Sequence, residues 1–224
     1  MIPDDNKARC SGICRKMPVA ALIFFLAVLP ASGGNHGTAR DFPRFTFGIE
    51  GNCTVTFGTY YHYNFISADG YRINARGYDG SAACNGQLLA NAGCNLNRNL
   101  NLSVYFGFGG IRRKETALPL SLRLTAYFGK DPTAGRCFAF ADGGAAIGTD
   151  RKAKLSPAGK LGAGYRVSLT RSTKLDFLIA CQMIYSHPDV SESIDGMASG
   201  VPPERIRRNN ILINGITFGI GLNF

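Results

Sequence analysis

The sequence predicts an all-β chain: an eight-stranded antiparallel up-and-down transmembrane β-barrel. Two observations carry that expectation. Hydrophobic residues recur with period two in eight successive segments, and the links between those segments alternate between short and long. Composition agrees. Charged residues make up 18% of the chain, below the roughly 25% of an ordinary soluble domain. The 28 glycines and 11% aromatics suit strands, tight turns and an apolar outer face.

The chain opens on Lys7, Arg9, Arg15 and Lys16, followed by an apolar run from Met17 to Leu29 and then Pro30-Ala31-Ser32-Gly33-Gly34. A basic stretch, a short apolar core and small residues are the three parts of a secretory signal peptide. The apolar run falls short of the ~18 residues that a spanning helix needs. Residues 1–33 are therefore expected to be a cleaved signal peptide, 34–44 a short periplasmic segment, and 45–224 the barrel. Export brings the mature chain into an oxidising compartment. Cys10 and Cys14 leave with the signal, so an odd number of cysteines remains. Cys53, Cys94, Cys137 and Cys181 fall on apolar strand faces, where a thiol acts as a small hydrophobe, and Cys84 falls in a loop. No disulfide is required. No Cys-His cluster has metal-ligand spacing, and neither a metal nor a cofactor is expected.

The first predicted strand, 45–57, sets Phe45, Phe47, Ile49, Cys53, Val55 and Phe57 against Glu50, Asn52, Thr54 and Thr56. The second spans 87–96. The third, 100–109, has the clearest alternation: Leu100, Leu102, Val104, Phe106 and Phe108 stand against Asn101, Ser103 and Tyr105. The fourth, 118–129, opposes Leu118, Leu120, Leu122 and Leu124 to Ser121, Arg123 and Thr125. In 137–147 small apolar residues alternate with a face that carries Phe138, Phe140, Asp142 and Gly144. Segments 160–169, 175–186 and 212–224 repeat the scheme. These strands are roughly 10–14 residues long, against 5–6 for a soluble strand and ~9–11 for one crossing a bilayer at a tilt. The bulky face is assigned to lipid and the small polar face to the lumen.

A soluble periplasmic ligand-binding barrel would show the same alternation turned inside out. The links favour the membrane. Those at 97–99, 130–136 and 170–173 are short, whereas those at 60–84, 110–117, 148–156 and 187–209 are longer. Outer-membrane barrels place short turns in the periplasm and long loops outside, and an even strand number returns both ends to the periplasm. The expected location is the bacterial outer membrane.

From about residue 42 onward, the chain resembles the small eight-stranded outer-membrane β-barrels of the opacity type and the outer-membrane-protein-A-like type. The motif that carries this is the end, Ile216-Thr217-Phe218-Gly219-Ile220-Gly221-Leu222-Asn223-Phe224. The resemblance implies that Phe224, with Phe218, Ile220 and Leu222 behind it, is the signal read by the barrel assembly machinery. It is a resemblance of architecture and implies no substrate.

Glu50, Arg123, Asp142, Arg166 and Asp176 fall on the predicted lumen faces. Arg123 and Asp142 are equidistant from their shared turn, and Arg166 and Asp176 nearly so, so hairpin pairing brings opposite charges together. A salt-bridge plug is the expected result, with a gated proton or ion path as the alternative. The predicted loops carry Arg112, Arg113, Lys114, Arg151, Lys152, Lys154, Arg205, Arg207 and Arg208, mixed with Asp189, Glu192, Asp195 and Glu204. These basic residues read as contacts to lipopolysaccharide phosphates, with plain solvated charge as the alternative. The net charge of +10 sits between strands rather than along one stripe, so nucleic acid is not an expected partner. Outer-membrane lipid is, and the barrel is expected to be a monomer. The first loop is aromatic, with Tyr60, Tyr61, Tyr63 and Phe65.

An enzyme is not expected. A lipid-modifying outer-membrane enzyme would need a nucleophile, a base and a carboxylate close together. Of the three histidines, His36 borders the signal cleavage point, and His62 and His187 fall near the outer rim. The run Ser186-His187-Pro188-Asp189 holds the right residue types, but neighbours on a strand point to opposite faces.

Overall fold

A computed structural model describes residues 44–224 apart from 81, 113–114, 130–134, 150–153, 171 and 195–196. The expected signal peptide lies outside the described residues. The strands in chain order are β1 Phe45–Ile66, β2 Arg72–Asp79, β3 Ala83–Asn95, β4 Leu100–Arg112, β5 Glu115–Phe128, β6 Arg136–Gly148, β7 Leu155–Ser168, β8 Lys174–Ser186, β9 Ser191–Ile194, β10 Met197–Gly200 and β11 Ile206–Asn223. A 3-10 helix, Pro203–Arg205, precedes β11.

Eight of these strands form the barrel, in the order β11-β8-β7-β6-β5-β4-β3-β1, and β1 pairs back with β11 to close it. Every pairing is antiparallel. Closure leaves no free sheet edge around the wall. β1 is 22 residues long and has two partners on one side: β3 along Phe45–Thr56 and β2 along Thr59–Ile66. β9 and β10 form a separate two-stranded ribbon.

The wall is apolar outside and polar inside. Leu122 is 50% exposed, while Arg123 beside it is 3% exposed. Phe47, Phe106, Leu120, Ile179 and Phe218 share the exposed face, and Glu50, Asn52, Thr54, Gln182 and Thr217 are buried. This excludes the soluble alternative, which needs the large side chains within. A water-facing surface does not carry so continuous an apolar band.

Three predicted links are shorter in the structure. Segment 60–84 is mostly the outer third of β1 and all of β2. In segment 110–117, β4 runs to Arg112 and pairs there with Glu115 of β5. Segment 187–209 holds the ribbon, the 3-10 helix and the start of β11. The reason is common to all three. Period-two contrast is imposed by lipid on one face, and it fades where a strand continues past the bilayer. Cys84 likewise lies in β3 rather than in a loop, with its sulfur 2.9 Å from that of Cys53.

A β-bulge in β1 reverses its faces. Against β11, the register slips between Thr56 and Gly58. Below the slip, Glu50, Asn52, Thr54 and Thr56 point inward and are buried. Above it, Tyr61 and Tyr63 pack inward against the cluster of Ile111, Ala117, Ala146, Ile184, Ile211 and Ile213. Tyr60, His62 and Asn64 then belong to the outer wall. An added residue that re-aims the side chains beyond it is what a bulge supplies.

Rings also cover glycines across the wall. Phe138 and Phe140 of β6 lie opposite Gly164 and Gly162 of β7. A Cβ at Gly164 would run into the Phe138 ring and the Phe177 carbonyl oxygen. Gly164→Val is therefore expected to destabilise the barrel by about 1–3 kcal/mol through overpacking. A urea titration of the barrel folded in liposomes measures this, and an unchanged midpoint would contradict the packing described.

Candidate functional site

The lumen is built on register. Pairing places Arg123 opposite Asp142, Asp142 opposite Lys160, and Arg166 opposite Asp176. Arg123 donates from Nη1 to Glu50 at 2.6 Å and from Nε to Asp142 at 2.6 Å, so one guanidinium holds two carboxylates. All three side chains are 3–4% exposed. Asn52 donates to Glu50 at 2.8 Å, and the guanidinium carbon lies 3.9 Å from the centre of the Tyr105 ring and 4.3 Å from that of Phe140. A planar cation stacked on aromatic faces, with carboxylates at its edge, satisfies both its charge and its flat surfaces.

Toward the chain ends, Arg166 donates to Asp176 through Nε at 2.7 Å and Nη2 at 2.6 Å, and Asn223 donates to the same carboxylate at 2.8 Å. Arg136 and Arg166 both lie over Tyr127, at 4.0 and 4.5 Å. Toward the outer end, Lys160 donates to Gln87 at 2.9 Å, and Thr54 and Thr217 bond to each other and to Gln182. Above these comes the isoleucine-rich layer of Ile111, Ile184, Ile211 and Ile213. The space where the polar and apolar layers meet is a cavity of about 10 Å³, at the lower limit for one water.

All five lumen charges named from the sequence thus fall into two ion-paired groups. Lys160, Arg136 and the aromatic partners Tyr105, Tyr127 and Phe140 were not among them. Lys160 was legible in principle, since the same turn-counting that pairs Arg123 with Asp142 extends to β7.

The nine basic residues named for the outer side are scattered. Arg113, Lys114, Arg151 and Lys152 lie outside the described residues. Arg112 ends β4. Lys154 donates to Asp189 at 2.6 Å. Arg205 ends the 3-10 helix and is exposed. Arg207 and Arg208 are in β11, and with His62, Asn64, Arg72, Asn74 and Arg76 they line a cleft of about 460 Å³. Arg72 and Arg76 were missed because β2 read as loop. Behind the cleft, Phe65 packs with Val190 and Val201 at the base of the ribbon, and the Ala68 amide donates to the Glu192 carboxylate at 3.1 Å.

At the chain end, the Phe224 amide donates to the Phe47 carbonyl at 2.7 Å, and the Phe47 amide returns a bond at 3.2 Å. Phe218 and Ile220 are exposed on the outer face, and Leu222 is half-buried. Ser186, His187 and Asp189 border a second groove of about 400 Å³. Ser186 Oγ is engaged by Ser156 at 3.1 Å and Asp189 by Lys154, while His187 meets Tyr185 edge-on at 4.9 Å. His62 borders the other cleft. Among the described residues no group of three His, Cys, Asp or Glu side chains could hold a metal ion.

Neither a protein-family model nor a curated protein sequence matches the chain. Solved structures do. The chain is similar to the N-terminal β-barrel domain of OprF from Pseudomonas aeruginosa, at 12% identity and a TM-score of 0.40, covering 80% of this chain and 97% of that one. It is similar to the outer membrane protein OprG from Pseudomonas aeruginosa, at 12% identity and a TM-score of 0.46, covering 81% and 96%. It is also similar to the outer membrane protease OmpT from Escherichia coli, at 8% identity and a TM-score of 0.41, covering 80% and 96%. The closed eight-stranded barrel itself stands on the strand pairing and register given above.

Proposed function

We propose that this chain is an integral protein of the bacterial outer membrane, spanning the bilayer as a monomeric sealed barrel and acting through its outer surface. The observation that carries this is the inverted wall, with large hydrophobes exposed around a buried network of ion pairs. Only a lipid environment makes that arrangement favourable. Two features support a plugged lumen. Arg123, Glu50 and Asp142 cross the interior, and the isoleucine-rich layer lies above them. An eight-stranded barrel is just wide enough for its own side chains, so the interior serves stability rather than passage. Outside, the basic residues of β2, β11 and the connecting segments suit contact with lipopolysaccharide phosphates. The proposal assigns no catalysis, and it gives Phe224 and the residues behind it the role of the assembly signal.

Fractionation of expressing cells, followed by gels with and without boiling in SDS, tests the proposal. A band in the outer-membrane fraction that changes mobility on boiling is the expected result. A protein found soluble in the periplasm, with no such shift, would overturn it.

A further inference from the structure

The bulge between Thr56 and Gly58 turns His62 and Asn64 of β1 onto the outer wall. Resting on the outer-membrane proposal above, we propose that the cleft between β2, β1 and β11 binds a phosphate of a lipopolysaccharide head group. Four arginines surround it: Arg72 and Arg76 from β2, Arg207 and Arg208 from β11.

Depth is the first argument. Tyr60 and Tyr78 are cross-strand partners and both are exposed, 48% and 63%. Exposed tyrosines of this kind mark the boundary between hydrocarbon and head groups. The next same-face pair is His62 and Arg76, two residues further out. At about 3.3 Å per residue, that places Arg76 ~7 Å along the strand beyond the belt, where head-group phosphates lie. The pair after that is Asn64 with Asn74, and Asn64 also pairs with Arg208 on the other side.

Preorganisation is the second. Arg76 donates through Nε to His62 at 3.1 Å, and Arg72 donates through Nε to Asn64 at 3.1 Å. The two acceptors form a floor only 9% and 7% exposed. Each arginine is thus fixed by its inner nitrogen while its terminal amino groups keep their donors, the arrangement that grips a phosphate oxygen pair.

Charge is the third. Among the described residues no carboxylate lines the cleft and none of the four arginines is in an ion pair. Four like charges around one cavity repel each other unless an anion sits among them. A phosphate neutralises them, and about 460 Å³ leaves room for the sugar that bears it.

The test uses full-length protein purified from outer membranes, titrated with detergent-solubilised bis-phosphorylated lipid A. Arg72→Ala/Arg76→Ala and, independently on another strand, Arg207→Gln/Arg208→Gln are each expected to weaken binding about tenfold or more. Both variants should keep the mobility shift on boiling. Arg98→Ala, in the turn at the opposite end, should bind as wild type does. Lipid A stripped of its phosphates should bind the wild type as poorly as intact lipid A binds the variants. Undiminished binding by both variants, or equal binding of stripped lipid A, would overturn the site. Inorganic phosphate displacing lipid A at equal concentration would show a free-phosphate site and overturn the lipid occupant. Failure of the protein to reach the outer membrane is scored separately by fractionation, so it strikes the location rather than the cleft.

Discussion

Arg123→Ala is expected to lower the stability of the barrel by about 3–5 kcal/mol, because it leaves two buried carboxylates without their cation. Glu50 and Asp142 both take hydrogen bonds from this one guanidinium, and both side chains are almost fully shielded. Lys160 is the neighbouring cation, but its amino group is directed to Gln87. The stacking of the guanidinium on Tyr105 and Phe140 is lost as well. Urea unfolding in liposomes measures the change, and a midpoint equal to the wild type would refute the network as a structural element. The quadruple variant Arg123→Met, Glu50→Gln, Asp142→Asn, Lys160→Gln should recover most of the loss, since Lys160 faces Asp142 and would otherwise stay behind as a lone cation. Removing all the charges together avoids leaving any of them buried alone, and such replacements are often neutral.

The same substitution separates a plug from a gated path. In planar bilayers Arg123→Ala should remain without steady conductance, because the layer of Ile111, Ile184, Ile211 and Ile213 still fills the outer end. An ion current appearing with Arg123→Ala alone would mean that the guanidinium is a gate.

The transmembrane part of this barrel is legible in the sequence because lipid imposes one rule on every strand. Leu118 to Leu124 alternates cleanly, and its lumen partners are found by counting outward from the turn. Phe138 and Phe140 show where polarity alone runs short: they face the lumen because Gly164 and Gly162 opposite leave room for rings. The outer extension was not legible, for a different reason. A single bulge reverses the faces of β1, so Tyr61, Tyr63 and Phe65 keep the odd-numbered parity of the lipid-facing Phe45 to Phe57 yet pack inward, and parity alone does not announce the reversal. Arg207 and Arg208, consecutive and both polar, carry no period-two signal either. Tertiary pairing between β1, β2 and β11 creates the cleft, and no local pattern in any one of them announces it.

Leu122→Arg is expected to destabilise the barrel by about 2–4 kcal/mol if the outer face meets lipid, since that is the cost of an arginine near the bilayer midplane. Leu122 sits midway along β5, and its outward neighbours Val104, Leu120 and Leu124 are all more than 40% exposed. In water, a substitution at so open a position would shift stability by no more than about 0.5 kcal/mol. Depth gives the control. Phe128→Arg, at the end of the same strand on an equally exposed face, should cost only about 0–1 kcal/mol because its side chain reaches the interface. A steep difference between positions 122 and 128 is the signature of a membrane slab, whereas equal small effects would return the exposed band to water. The adjacent pair 122 and 123 then makes a single argument. Adding a charge at one and removing a charge at the other both weaken the barrel, because consecutive residues on this strand face different solvents.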